Sequence, residues 1–266
     1  EDEIAKDGQT VKSGMRGDRV GWQASGGIGS IVLRRPPLNI LDLSMLREFE
    51  AVLASAADGV PLKLLELRAE GKAFSAGVEV ADHSPDRVGE MIPLFDRVCT
   101  SLAEFPAPTL AVVHGHALGG GCELALACDL VIAAAGAKFA QPEIKLGVFP
   151  PMAALWLPDR IGSARAAEML LTGEPVLADD AVRMGLINRS VTPEELEPAV
   201  QRIEDALRGL SAAALRTCKR ALRLGRAGAG LAEIERLYLE ELVTSQDSAE
   251  GLAAFLEKRA PVWRDR

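Results

Sequence analysis

His114-Gly115-His116-Ala117-Leu118-Gly119-Gly120-Gly121-Cys122-Glu123-Leu124-Ala125 is the stretch that decides the architecture. An apolar run of strand length at 109–114 leads into it. Three successive glycines follow, and an apolar helix over about 122–128 begins at once. Glycine there lets a ligand reach the backbone with no Cβ in the way. The first N–H groups of a helix have no partner inside it, and that end is positively polarised. Such a place suits a phosphate or a developing oxyanion. A tight strand–helix turn that needs glycine only for packing fits the same residues, so the motif by itself leaves both readings open.

Working outward, residues 28–33 read as a strand after the Gly26-Gly27 turn, ended by Pro36-Pro37. Leu41, Met45, Leu46, Phe49, Val52 and Leu53 recur at helical spacing, with Asp42 or Ser44 as N-cap. An apolar strand at 62–67 precedes a glycine-bounded loop, 71–77. Val88, Met91, Ile92, Phe95, Val98, Cys99, Leu102 and Phe105 form the next helical stripe, for which Ser84-Pro85 predicts the start and Pro106 the stop. A further strand is expected at 130–135. Strands joined by helices predict an α/β core with buried, mostly parallel strands. Beyond Gly162 the pattern turns helical, with helices expected at 164–171, 178–184, 193–207, 212–224, 231–242 and 248–258. The expected organisation is a polar tail (1–17), an α/β core carrying the site (18–195) and a helical region (196–266). The apolar stripes of that last region must bury against the core or another subunit.

The 266 residues carry a net charge of −8 and are 48% hydrophobic and 26% charged, an ordinary globular balance. Acidity, with only 4% aromatics, argues against nucleic acid or an anionic membrane as partner. Cys99, Cys122, Cys128 and Cys218 fit no zinc or redox spacing and read as reduced packing cysteines, which predicts a cytoplasmic location. No run of about 18 uncharged apolar residues exists, so no membrane span is expected. No apolar signal core precedes Gly17.

Two carboxylates stand out. Glu123 sits in the first turn of the apolar helix, and Glu143 follows Gln141-Pro142. A carboxylate in apolar surroundings is costly unless paired or useful. Two beside an anion-stabilising helix end would suit acid–base work on a water; a helix cap and a solvated turn are the blander alternatives. The loop Gly71-Lys72-Ala73-Phe74-Ser75-Ala76-Gly77-Val78-Glu79-Val80 could donate a second backbone N–H to the same oxygen. Ser75 lies outside any G-x-S-x-G pattern and is not read as a nucleophile. His83, His114 and His116, the only histidines, have no metal-ligand spacing, so no metal is expected. No dinucleotide or triphosphate loop is present either. Arg216, Lys219, Arg220, Arg223 and Arg226 form a basic stripe that reads as a solvated face, or else as a contact for ligand phosphates.

Together and in this order, these elements resemble the crotonase (enoyl-CoA hydratase/isomerase) superfamily. The loop 71–80 is similar to its first oxyanion loop. The stretch 111–129 resembles its glycine-rich loop and helix, and 141–150 resembles its Pro-Glu turn before Leu-Gly-x-x-Pro. Residues 250–263 resemble its closing helix. Pro150–Trp156, with 37–40 and 80–93, is similar to the cyclohexa-1,5-dienecarbonyl-CoA hydratases within it. The resemblance implies a spiral of strand–strand–helix turns and a C-terminal trimerisation region, in a homotrimer or a dimer of trimers. It implies an acyl-CoA substrate, no separate cofactor, and addition or removal of water at a conjugated thioester. A double-bond isomerase or decarboxylase, or a non-catalytic binding homologue, shares the same fold. Residue by residue it implies Val78 and Gly120 as oxyanion-hole amides and Glu123 and Glu143 as catalytic acids. Leu38, Lys72, Ala76, His83, Phe95, Gly119, Pro151 and Trp156 would border the substrate. Phe255 and Lys258 would reach the adenosine end of a neighbour's CoA. Ala81 stands where relatives often carry lysine.

Overall fold

The computed structural model describes residues 18–59 and 61–265, with two short strands before them, β1 (Glu3–Ile4) and β2 (Thr10–Val11), which pair antiparallel. The rest of the expected polar tail lies outside the described residues.

A hairpin opens the core. Strand β3 (Val20–Ser25) turns at Gly26-Gly27 into β4 (Ile28–Leu33). Helix α1 (Leu43–Ala57) then crosses to β5 (Leu64–Ala69), which pairs parallel with β4. Asp42 caps α1, its carboxylate accepting the Met45 N–H at 2.9 Å. Helix α2 (Val88–Ala103) leads to β6 (Thr109–Val113), and after β7 (Ala117–Leu118), helix α3 (Gly120–Ala127) leads to β8 (Leu130–Ala134). Next come β9 (Lys138–Ala140), α4 (Pro151–Ile161), α5 (Ser163–Thr172), β10 (Val176–Leu177), α6 (Ala178–Arg183) and β11 (Arg189–Val191). The main sheet runs β11-β8-β6-β5-β4-β3, parallel except at the β3 edge. A smaller sheet, β10-β9-β7, stands beside it.

The strand period sorts the core into two layers. Leu65, Leu67, Ala111, Val113, Val131 and Ala133 face α1, α2 and α3 in the larger apolar cluster. Their neighbours Leu64, Leu110, Val112, Ile132 and Ala134 face Leu196, Ala199 and Val200 of α7 (Leu196–Arg208) on the other side. After α7 the elements are helical: α8 (Ala212–Arg226), α9 (Leu231–Arg236) continued by a π-helical turn, Leu237–Leu242, and α10 (Gln246–Glu257).

Two expectations are corrected here. Helix α2 begins at Val88 rather than Pro85. The reason is Asp82, buried at the end of a 3-10 turn, which pairs with Arg87 at 2.9 Å and accepts the Leu43 N–H, so residues 84–87 fold back as a turn. The basic stripe is not a solvated face throughout. Lys219 is buried and pairs with Asp129 at 2.8 Å, while Arg220 and Arg223 are taken by Glu241 and Glu104.

Candidate active site

The loop after β5 is clamped at two points. At one, the Ser75 N–H donates to the His116 carbonyl (3.1 Å) and the Leu118 N–H to that of Ser75 (2.9 Å), which binds the loop to β7. At the other, Leu41 bridges Val78: its N–H donates to Gly77 and its carbonyl accepts from Glu79. In such a parallel bridge the amide of the central residue faces away from its partner. The Val78 N–H therefore points away from Leu41, and no backbone hydrogen bond among the described residues uses it. Gly77, at φ +103°, makes the turn possible and lies over the start of α3; a Cβ on it would stand 3.6 Å from the Gly120 nitrogen. The Ser75 hydroxyl donates to the Asn39 carbonyl at 2.8 Å and accepts from Gly77, so it braces the loop.

Helix α3 starts at Gly120, two residues earlier than its apolar pattern suggests, and has no side-chain cap. Gly120 is thus the first helical residue, its N–H an orphan of the helix end. The Val78 methyl and the Phe95 ring of α2 pack directly on it: a Cβ there would meet them at 2.8 and 3.0 Å. Gly119 stands at φ +52°, and a Cβ on it would overlap Glu143 Oε1. Val78, Phe95, Gly119, Gly120 and Glu143 are therefore one contiguous group.

Glu123, one turn into α3, is 3% exposed. Its Oε1 accepts the Ala153 N–H of α4 at 2.8 Å. Pro151 occupies the first position of α4, where its missing N–H costs nothing, so that helix end is free to hold the carboxyl. Burial pushes the Glu123 pKa up to about 8, with the charges of Glu143 and Asp96 adding and the Ala153 and Met152 amides opposing. Burial likewise lifts Glu143 to about 7. Its Oε2 is enclosed and has no partner among the described residues. Two neighbouring acids perturbed in this way make the group a candidate functional site.

The remaining expected residues divide. The Ala76 N–H donates to the Leu38 carbonyl at 2.8 Å, and Leu38 is exposed beside the loop. Lys72 is exposed, and Trp156 is half-buried against the main core. The His83 ring bonds the carbonyl of Glu79, the residue after Val78, at 3.1 Å. Phe255 and Lys258 lie far along the chain on α10, which packs on α8, and Phe255 is 82% exposed. Two polar side chains not singled out from the sequence are unpartnered among the described residues: Asp96, next to Phe95, through its enclosed Oδ1, and the wholly buried Gln141 through both amide atoms. An acid inside the apolar Ile92–Cys99 stripe was the available signal for Asp96.

A family model described as Enoyl-CoA hydratase/isomerase matches residues 23–266. The chain belongs to that family. This enoyl-CoA hydratase/isomerase family member is 38% identical over 252 residues to cyclohexa-1,5-dienecarbonyl-CoA hydratase of Thauera aromatica, covering 93% of this chain and 97% of the relative. It is 35% identical to crotonyl-CoA hydratase of Syntrophomonas wolfei, covering 86% and 91%. A crystal structure of an enoyl-CoA hydratase of Mycobacterium smegmatis superposes with TM-score 0.85 at 29% identity, covering 92% of this chain and 98% of that one. The expected crotonase architecture is thereby established.

Glu123 also has a stability signature. Its pKa is raised from 4.5 to about 8, so the folded state holds a proton that the unfolded state releases between those values. Stability contributed by the neutral carboxyl is thus full below about pH 4.5 and lost as pH rises towards 8. Glu123→Gln keeps the acceptor for Ala153 and cannot ionise. It is expected to raise Tm over the unsubstituted protein at pH 9 and to leave Tm unchanged at pH 4, measured by calorimetry.

Proposed function

We infer that this chain is a hydro-lyase that adds water to, or removes it from, a conjugated acyl-CoA thioester. The observation that carries the reading is the pairing of a buried glutamate and a half-buried one, each with its pKa raised by burial, with a helix start whose first amide makes no backbone hydrogen bond among the described residues. In this reading the thioester oxygen lies between the Val78 and Gly120 amides. Charge grows on it as water adds, and each fixed donor favours that enolate-like state by about 3 kcal/mol over an unaided oxygen. Glu143, with its unpartnered oxygen, and Glu123 hold the water; one takes its proton and the other delivers one to carbon. Coenzyme A belongs to the substrate, and no other cofactor takes part.

The relative from Thauera suggests a cyclic dienoyl thioester as the acyl group, and the resemblance drawn from Pro150–Trp156 supports it. The test is incubation of the protein with crotonyl-CoA and with cyclohexa-1,5-dienecarbonyl-CoA, followed by mass detection of a water adduct. An adduct supports hydration. A shifted double bond without mass gain would make the chain an isomerase, and binding without any product would make it a scaffold.

The two glutamates also set a pH profile. If one acts neutral and one ionised, kcat/KM rises as the pair loses its first proton near pH 7 and falls as it loses the second near pH 8. A bell with its summit between those values is expected, and a flat profile from pH 6 to 9 would contradict it.

The exposed Leu222, Leu231, Leu239, Leu252, Phe255 and Leu256 of the last helices support burial against other copies, as a homotrimer or a dimer of trimers. In such an assembly Phe255 and Lys258 serve a neighbour's CoA. Free, mostly buried cysteines and an acidic surface support a cytoplasmic enzyme with no nucleic-acid or membrane partner.

A further inference from the structure

Asn39 is fully buried and stands at φ +49°, a left-handed conformation that asparagine enters more readily than most residues with a side chain. Both atoms of its side-chain amide are met. Nδ2 donates to the Glu70 carbonyl at 2.6 Å and to the Ala73 carbonyl at 2.9 Å, so it grips the loop after β5 at its entry. Oδ1 accepts the Arg35 N–H at 2.8 Å, and the Asn39 N–H returns to the Arg35 carbonyl at 2.8 Å, which closes the turn 35–39. The main-chain carbonyl of Asn39 holds the middle of the same loop. It accepts the Ser75 hydroxyl at 2.8 Å, and that hydroxyl accepts the Gly77 N–H at 3.2 Å. Two residues on, the Leu41 N–H donates to the Gly77 carbonyl at 2.9 Å. In a planar trans peptide the N–H points opposite to the C=O, so this bond sets the direction of the Val78 N–H. An unbroken chain of contacts therefore runs from the Asn39 amide to that donor. Buried polar networks with every member satisfied are rigid.

We propose that Asn39 is a positioning residue for the reaction: it fixes the loop 71–80 so that the Val78 N–H is aimed at the thioester oxygen before charge develops there. This rests on the thioester reading of the site above. Asn39 acts through Ser75 and Leu41 and not on the substrate. A fixed donor stabilises a developing oxyanion because it needs no reorganisation at the moment of reaction. A loop freed from Asn39 loses that advantage, although the Val78 amide itself is still present.

The test uses two substitutions in the full chain. Asn39→Gly leaves the left-handed turn accessible and removes all three side-chain bonds. Ser75→Ala removes a single hydroxyl and answers the question if the glycine variant fails to fold. With crotonyl-CoA or the cyclic dienoyl thioester, whichever turns over, Asn39→Gly is expected to lower kcat about 100-fold, the loss that a misplacement of about 1 Å produces. Ser75→Ala should lower kcat about tenfold, in line with one lost hydrogen bond. KM should change little in both. Each substitution is then combined with Glu143→Gln to stop turnover, and the carbonyl stretch of the bound thioester, labelled with carbon-13 at that carbon, is read by infrared difference. In the combined variants the band is expected to move from its place in Glu143→Gln alone back towards the frequency in water. A merely structural role would lower Tm and leave the band of the folded protein where it was. An unmoved band in every combined variant that folds overturns the proposal, whatever its kcat. If Glu143→Gln alone fails to bind the thioester, or binds it with no lowering of the band, the thioester reading itself is lost and this proposal with it.

Discussion

Replacing Glu143 with glutamine is expected to lower kcat for the conjugated thioester by about 100- to 10,000-fold, the usual range for a lost acid–base group. KM should change little, because in the proposed binding mode the thioester carbonyl is held by main-chain amides that this substitution does not touch. The shape argument is favourable. Glutamine fills the same volume and leaves Gly119 with the same neighbour, so a folding defect is not expected. What vanishes is the titratable carboxyl, whose enclosed Oε2 has no partner among the described residues. Rapid-mixing kinetics with crotonyl-CoA or the cyclic dienoyl thioester gives kcat and KM separately. A large rise in KM at constant kcat would mean that Glu143 binds substrate instead of reacting with it.

Gly119→Ala should cost about 100-fold in kcat, for a different reason. Gly119 has φ +52° and ψ −127°, a region that residues with a Cβ scarcely enter. Its own N–H is already committed to the Ala140 carbonyl at 2.9 Å, so the backbone cannot easily rotate away. The added methyl would occupy the place of Glu143 Oε1 and push the carboxyl aside. A displacement of about 1 Å in a reacting group is enough for a loss of that size. Backbone strain adds about 1–3 kcal/mol of lost stability, visible as a lower Tm. Combined with Glu143→Gln, the alanine should lower kcat little further, since both act through one carboxyl. Full additivity of the two losses would show that Gly119 serves something other than Glu143.

These residues also show what was legible before any coordinates. The glycine triplet, the acid one turn beyond it and the Pro-Glu turn are local patterns, and the structure brings the residues of all three together. The main strands and most helices followed from periodicity because burial enforces it. What escaped reading is short or set by distant contacts. Strands β7, β9 and β10 have two or three residues each and exist through pairing with one another. Helix α4 carries Pro151 and Pro158, residues that signal interruption, yet it forms and supplies the amide that holds Glu123. The start of α2 moved because Asp82 and Arg87 pair across a turn.

The central claim is that the Val78 and Gly120 amides together polarise one thioester carbonyl. Infrared difference spectroscopy of crotonyl-CoA labelled with carbon-13 at that carbonyl, bound to the Glu143→Gln variant to stop turnover, tests it most directly. Two donors on the oxygen predict a carbonyl stretch well below its frequency in water. A stretch at or above the frequency in water would contradict the account, since the oxygen would then lie outside any such pair of donors.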